Sequence, residues 1–244
     1  MKIIGVIPAR YASSRFPGKP LADICGKPMI WWVYQQAGKV KEFCEIYIAT
    51  DDERIISVCN QYEMNVILTS DQHKTGTDRV CEVAKKVKAD LYVNVQGDEP
   101  LIEPESISMA IKPFYENSDL QVSSLMSKIK NPLDVINPNV CKVVTNKDGF
   151  ALYLTRGIAP YTKKPITYDL YKALGIFGIK PEAAAFFSQA EQSQIELIEE
   201  IEMLRFIENG YRIHFKEVDS KSIGVDTASD LEKVRQIITK ELAG

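Results

Sequence analysis

The sequence predicts an α/β fold: a mostly parallel sheet with helices on both faces. Two observations carry this. Short apolar runs recur through the first half, each closed by polar, glycine or proline residues, and between them lie longer segments of helical periodicity. Such β-α-β alternation is the pattern of a parallel sheet whose crossovers are helices. The length of 244 residues suits one large domain.

Taken in order, Ile3–Ile7 is a buried strand that runs into Pro8. Met29–Val40 is a helix, with Pro28 beside its first turn, where proline is tolerated. Glu45–Thr50 is a strand closed by Asp51 and Asp52, Glu53–Tyr62 a helix, and Asn65–Thr69 a strand. Thr77–Val87 is a helix, Leu91–Val95 a strand, and Pro104–Asn117 a helix. The second half is less regular, with strands expected at Gln121–Lys128, Cys141–Thr145, Ala151–Thr155, Tyr171–Ile179 and Ile213–Val218. Glu191–Asn209 reads as one acidic helix stopped by Asn209-Gly210, with its glutamates on a solvated face. Ser229–Leu242 is the last helix. One domain over residues 1–244, with an inserted excursion around 120–190, accounts for this order.

Composition narrows the function. The formal net charge of −3 argues against a broad nucleic-acid surface, so basic clusters are local and suit small anions. Five cysteines, without a C-x-x-C pair, read as reduced thiols of a cytoplasmic protein. No apolar stretch approaches membrane-spanning length, and no signal peptide is expected.

The loop after the first strand carries Arg10, Arg15 and Lys19 within ten residues. In open α/β sheets, ligands sit at the carboxyl ends of the strands. Two guanidinium forks and an ammonium there suit a multiply charged anion, most simply a triphosphate. Neither a Walker A sequence nor a G-x-G-x-x-G fingerprint is present. Asp98, in Gln96-Gly97-Asp98-Glu99-Pro100, follows another strand and is placed to hold Mg²⁺. Asp226, in Gly224-Val225-Asp226-Thr227, is either a second Mg²⁺ ligand or a cap for the last helix. The polar loop Thr75-Gly76-Thr77-Asp78-Arg79 opens a helix; its hydroxyls and N–H groups could read a base or ribose, or cap that helix. His73 stands beside it.

Together these motifs, with Gly26-Lys27-Pro28-Met29-Ile30 and Ala49-Thr50-Asp51, resemble the 3-deoxy-manno-octulosonate (Kdo) cytidylyltransferases from Met1 nearly to the C-terminus. The resemblance implies a nucleotidyltransferase fold with a Rossmann-like sheet and a smaller inserted region for the acceptor and for dimer contacts. It implies CTP as donor, a small acidic acceptor, Mg²⁺ as cofactor, and a homodimer without nucleic-acid or membrane partners. Arg10, Arg15 and Lys19 would then hold the triphosphate. Pro8, Ala9, Gln96 and the Thr75, Gly76, Thr77 and Arg79 loop would surround the nucleotide, and Asp98 and Asp226 would ligate the metal. On the acceptor side, Arg156 would take the sugar-acid carboxylate, with Ala173, Phe177 and Met203 nearby. The chain departs from the family pattern on this side: the family usually has histidine at 173, glutamine at 203, a tyrosine-rich stretch where Phe177-Gly178-Ile179 stands, and serine in place of Thr155. The nucleotide half therefore matches more closely than the acceptor half. Activation of Kdo for lipopolysaccharide or capsule is the main expectation. Another acid acceptor (an amino-substituted octulosonate, another nonulosonate or a phosphonate) and a non-catalytic nucleotide-binding protein are the alternatives.

Overall fold

The computed structural model describes residues 1–12, 16–163, 168–220 and 222–243. The chain opens with β1 (Ile3–Pro8), a 3-10 turn at Lys19–Leu21, the short strands β2 (Asp23–Ile24) and β3 (Lys27–Pro28), and α1 (Met29–Ala37). It continues through β4 (Glu45–Thr50), α2 (Glu53–Gln61), β5 (Val66–Leu68), α3 (Gly76–Lys86), β6 (Leu91–Asn94) and α4 (Pro104–Ile111). Next come α5 (Pro113–Glu116), β7 (Val122–Lys128), α6 (Pro132–Ile136), β8 (Lys142–Thr145), β9 (Ala151–Thr155) and β10 (Tyr171–Ile179). The last elements are α7 (Pro181–Gln189), α8 (Gln194–Glu199), α9 (Leu204–Glu208), β11 (Ile213–Glu217) and α10 (Ala228–Ala243). Contacts divide the chain into two compact units, residues 1–108 with 221–244, and residues 109–220.

In the first unit, β1 lies between β4 and β6 and is parallel to both, with β5 parallel on the far side of β4. Ile3, Ile4, Val6 and Ile7 are all fully buried. Burial on both faces explains why β1 is a continuous apolar run rather than an alternating one. Gly5 breaks the run because a Cβ there would stand 2.8 Å from the Phe43 ring. Since these strands run the same way, Pro8, Thr50 and Asn94 finish at one end of the sheet. The apolar stripe of α10, Leu231, Val234 and Ile238, clusters with Val225, Ile24 and Met29, and so anchors the end of the chain to its beginning.

In the second unit, β7 pairs antiparallel with β10 and parallel with β11, while β8 pairs antiparallel with both β9 and β10. The register on β10 slips between Ala173 and Phe177, and Ser124 on β7 donates its hydroxyl to the Ile176 carbonyl at 2.9 Å across that irregularity.

Two helical expectations need correcting. The stretch 104–117 is two helices, α4 and α5, broken at Lys112-Pro113 because proline lacks the N–H that would continue the ladder. The single acidic helix expected at 191–209 is also two, α8 and α9. Glu200 adopts φ 52°, in the left-handed region, and ends α8. Its glutamates are not all solvated either. Glu196 is buried and accepts from Nη2 and Nε along one guanidinium edge of buried Arg205, at 2.6 and 2.8 Å. Burial pushes the Glu196 carboxyl up, but hydrogen bonds from Arg205, the Ser193 N–H and Gln192, with the charge of Arg205, together outweigh it and hold the group below its ordinary range.

Gly178 on β10 faces Phe114, and a Cβ added there would lie 2.6 Å from the ring. Gly178→Ala should therefore lower the melting temperature, with a cost of ~1–3 kcal/mol. Thermal unfolding of the variant checks this, and trimming Phe114 to Leu should shrink the loss.

Candidate functional site

Three loops of the first unit converge on Pro8. Ala9, just beyond it and buried, donates its N–H to the Ala49 carbonyl at 2.9 Å. Gly97 passes so close that a Cβ would meet the Pro8 carbonyl oxygen at 2.7 Å, so only glycine fits. A Cβ on Gly76 would touch the Pro8 ring at 3.7 Å. The motifs at 8–9, 75–76 and 96–98 are thus gathered at the strand ends, although they lie far apart in the chain.

Lys19 is positioned by the loop that follows. Gly18 has φ 72°, and its N–H is donated to the Tyr11 carbonyl at 2.9 Å. A side chain at Gly18 would strike the Tyr11 ring. The Arg54 guanidinium stacks on that ring at 3.3 Å. Arg54 is itself held by Asp52, the N-cap of α2. Hydrogen bonds from Arg54 hold the Asp52 carboxyl below its ordinary range despite some burial. From this loop the Lys19 ammonium reaches Asp98 at 2.6 Å and Asp226 at 3.4 Å.

The two carboxylates are brought together by the backbone. Val225 donates its N–H to the Asp98 carbonyl at 2.9 Å, which ties the segment before α10 to the loop after β6. Ser222 donates its hydroxyl to Glu99 at 2.8 Å and adds a second tie. Capping at this end of α10 falls to Thr227 and Asp230: the Asp230 N–H is donated to the Thr227 hydroxyl, and Asp230 accepts the hydroxyl and N–H of Thr227 in return. Of the two readings of Asp226, the capping role is therefore taken by its neighbour. Asp98 and Asp226 instead converge on one cation. No cluster of three or more potential ligands occurs among the described residues. Two carboxylates with the remaining positions left to phosphate oxygens and water are the donor set Mg²⁺ takes at a nucleotide.

The 70–79 segment has more internal structure than its sequence reveals. Thr75 and Asp78 form a capping box at the start of α3, so the Thr75 hydroxyl serves the helix. Thr77 is fully buried. Arg79 is turned inward, with an ion pair to Asp51 at 3.0 Å and hydrogen bonds to the Thr69 hydroxyl and the Ser70 carbonyl. It braces the loop rather than facing solvent. His73 meets Glu82 at 2.5 Å, and Glu82 also accepts from the Ser70 N–H and pairs with Lys86. Arg10 is exposed, Gln96 is half-buried, and Arg15 lies outside the described residues. Arg54 and Glu82 escaped the sequence reading because no motif contains them, and Tyr11 and Asp51, which lie in motifs, show their bracing contacts only in the fold.

Within the second unit, Arg156 follows β9 and is heavily engaged. Its guanidinium donates to the carbonyls of Glu199, Pro138 and Glu200 at 2.6, 2.9 and 3.0 Å. The Glu199 carboxylate accepts from the Thr155 hydroxyl at 2.6 Å and from the Arg156 N–H at 2.8 Å. Fully buried Lys142 donates to the carbonyls of Asn137, Val140 and Arg156. Burial pushes the Lys142 ammonium below its ordinary pKa, with neighbouring charges adding smaller effects of both signs. Ala173 is half-buried on β10; Phe177 and Met203 are buried.

A family model described as cytidylyltransferase matches residues 4–217. A 3-deoxy-manno-octulosonate cytidylyltransferase of Geotalea uraniireducens is 45% identical over 98% of this chain and 100% of its own length. One of Geobacter metallireducens is 43% identical over 98% and 99%. A solved structure of a CMP:2-keto-3-deoxy-manno-octonic acid synthetase complexed with CTP superposes with a TM-score of 0.94 at 39% identity, covering 99% of this chain and 100% of that one.

The loop at 70–73 gives a pH test. Burial pushes Glu82 up, but hydrogen bonds from Lys86, Ser70 and His73 prevail and bring it down to about 2 from its ordinary 4.5. A carboxyl depressed on folding stabilises fully above its unfolded pKa, and that stability is lost as pH falls through the folded value. The melting temperature should fall between about pH 4.5 and pH 2, and Glu82→Gln should flatten that part of the profile. Thermal melts across this range provide the check.

Proposed function

The chain belongs to the 3-deoxy-manno-octulosonate cytidylyltransferase family, and from that membership we propose that it transfers CMP from CTP to Kdo with release of pyrophosphate. The observation that carries the reading is the convergence of Lys19, Asp98 and Asp226 beside the loops gathered at Pro8. Cation and carboxylates there supply phosphate-binding charge and a metal position in one place.

In this reading Arg10, Arg15 and Lys19 hold the triphosphate, and Pro8, Ala9, Gln96 and the Thr75–Arg79 loop bound the nucleoside. Asp98 and Asp226 hold Mg²⁺, and the lysine ammonium already shared between them supports that fit, since both oxygens face one positive centre. Bound there, the metal supplies charge neutralisation on the phosphates. The acceptor's anomeric hydroxyl attacks the α-phosphorus, forming the new P–O bond as the bond to pyrophosphate breaks. Lys19 and Arg10 offset the charge growing on the leaving group. Arg156 serves the acceptor carboxylate with the donors its three carbonyl contacts leave over, since a guanidinium carries five N–H groups.

A homodimer fits the surface of the second unit, where Leu133, Ile136, Leu152, Tyr161 and Ile198 are each more than half exposed. The cysteines described are all free thiols, which suits the cytoplasm, and no helix among the described residues is long and apolar enough to cross a membrane. A second reading keeps the chemistry and changes the acid. It is favoured by Ala173 and by buried Met203, which cannot offer the hydrogen bonds of the family's histidine and glutamine; two lost partners cost on the order of 1–3 kcal/mol each for a buried polar substrate.

Mg²⁺-dependent pyrophosphate release from CTP, measured with Kdo and with a panel of other sugar acids, tests both readings. Release with Kdo is expected, and Asp98→Asn should abolish it while leaving the melting curve intact. Release only with another acid would move the acceptor assignment and keep the mechanism. Sedimentation velocity should show a dimer, and Leu152→Lys with Ile198→Lys should shift it toward monomer.

A further inference from the structure

The Lys19 contacts have a meaning beyond phosphate binding. An ammonium 2.6 Å from one carboxylate and 3.4 Å from another occupies the position from which a divalent cation would see both. All three groups sit on braced backbone. Lys19 follows the Gly18–Tyr11 turn, Asp98 follows the tight passage of Gly97 under Pro8, and Asp226 follows the Val225 tie to Asp98. The lysine side chain is only 15% exposed, so water screens its attraction to the carboxylates less than at an open surface.

We propose that Lys19 acts as a resident counter-cation: it neutralises the Asp98–Asp226 pair while the nucleotide is absent and keeps a free divalent cation out. The Val225 tie keeps the two carboxylates close, so without a cation they repel one another, and the ammonium offsets that repulsion. A metal arriving alone must displace an ammonium that is paired with both carboxylates, and it brings no substitute for them. A metal arriving with a triphosphate offers that ammonium phosphate oxygens in exchange for the carboxylates it leaves. The swap conserves ion pairing for every group, because lysine moves from carboxylate to phosphate as the metal takes its place. Lys19 thereby couples metal entry to nucleotide entry. Arginine would serve this exchange poorly, since its planar fork cannot pivot about a point charge as an ammonium does.

This inference rests on the metal assignment above, and the test separates the two. Mn²⁺ is titrated into nucleotide-free protein and the unbound ion is followed by electron paramagnetic resonance. Wild type should bind Mn²⁺ weakly. Lys19→Met, which keeps length and removes charge, should bind it at least tenfold more tightly, and Lys19→Gln should behave alike. Asp98→Asn added to Lys19→Met should erase the gain. An affinity that does not rise in either variant, in protein whose melting curve is intact, overturns the counter-cation role, as does a gain that survives Asp98→Asn. If the wild type fails to bind Mn²⁺ even beyond what added CTP binds by itself, the metal assignment falls first and this role falls with it.

Discussion

The first unit depends on one constraint: β1 is hydrogen-bonded on both sides to strands that run the same way. Parallel pairing to β4 and β6 sets Pro8, Thr50 and Asn94 at one end. It also forbids polar side chains along the strand, because both faces are buried, and so leaves the loops to carry all the chemistry. The close passage of Gly97 beneath Pro8 follows from the same arrangement. Asn94, the last residue of β6, is level with Val6, so β1 runs on to Pro8 and the loop after β6 passes beside it at backbone distance.

The loops answer that crowding with mutual bracing rather than long reach. Tyr11 is trapped between Gly18 and Arg54, Arg54 is held by a helix cap, and Arg79 joins Asp51 to Thr69. Side chains that look like ligand donors in the sequence are thus often consumed in holding the donors that remain. Arg156 and Lys142 show the same economy in the second unit, where two cations gather six backbone carbonyls and one of those carbonyls belongs to Arg156 itself.

How much could be read from sequence follows from what each signal needs. Ile3–Ile7, Glu45–Thr50 and Leu91–Val95 were legible because full burial writes itself as an unbroken apolar run. Lys19 and Asp98 stood out because they are charged residues in the loops that follow such runs, and the structure brings their charged groups within 2.6 Å of each other. Asp226 was ambiguous because T-x-x-D capping beside it uses the same residue types as metal binding, and only the Thr227–Asp230 contacts separate the two. The helix break at Glu200 was hidden: nothing in a run of glutamates marks the left-handed turn that lets Glu196 and Arg205 meet. Glu82 and Arg54 were equally silent, since their contacts with His73 and Tyr11 lie at separations that spacing does not encode.

The first unit is also discontinuous, assembled from residues 1–108 and 221–244 around an insertion. On the ribosome, translation therefore delivers Lys19 and Asp98 long before Asp226. The nascent chain must carry Ile24 and Met29 uncovered until α10 emerges to pack on them. Assembly of the carboxylate pair and closure of this part of the core thus become one late event, so a half-synthesised chain has the Lys19 loop but only one of the two carboxylates that meet it.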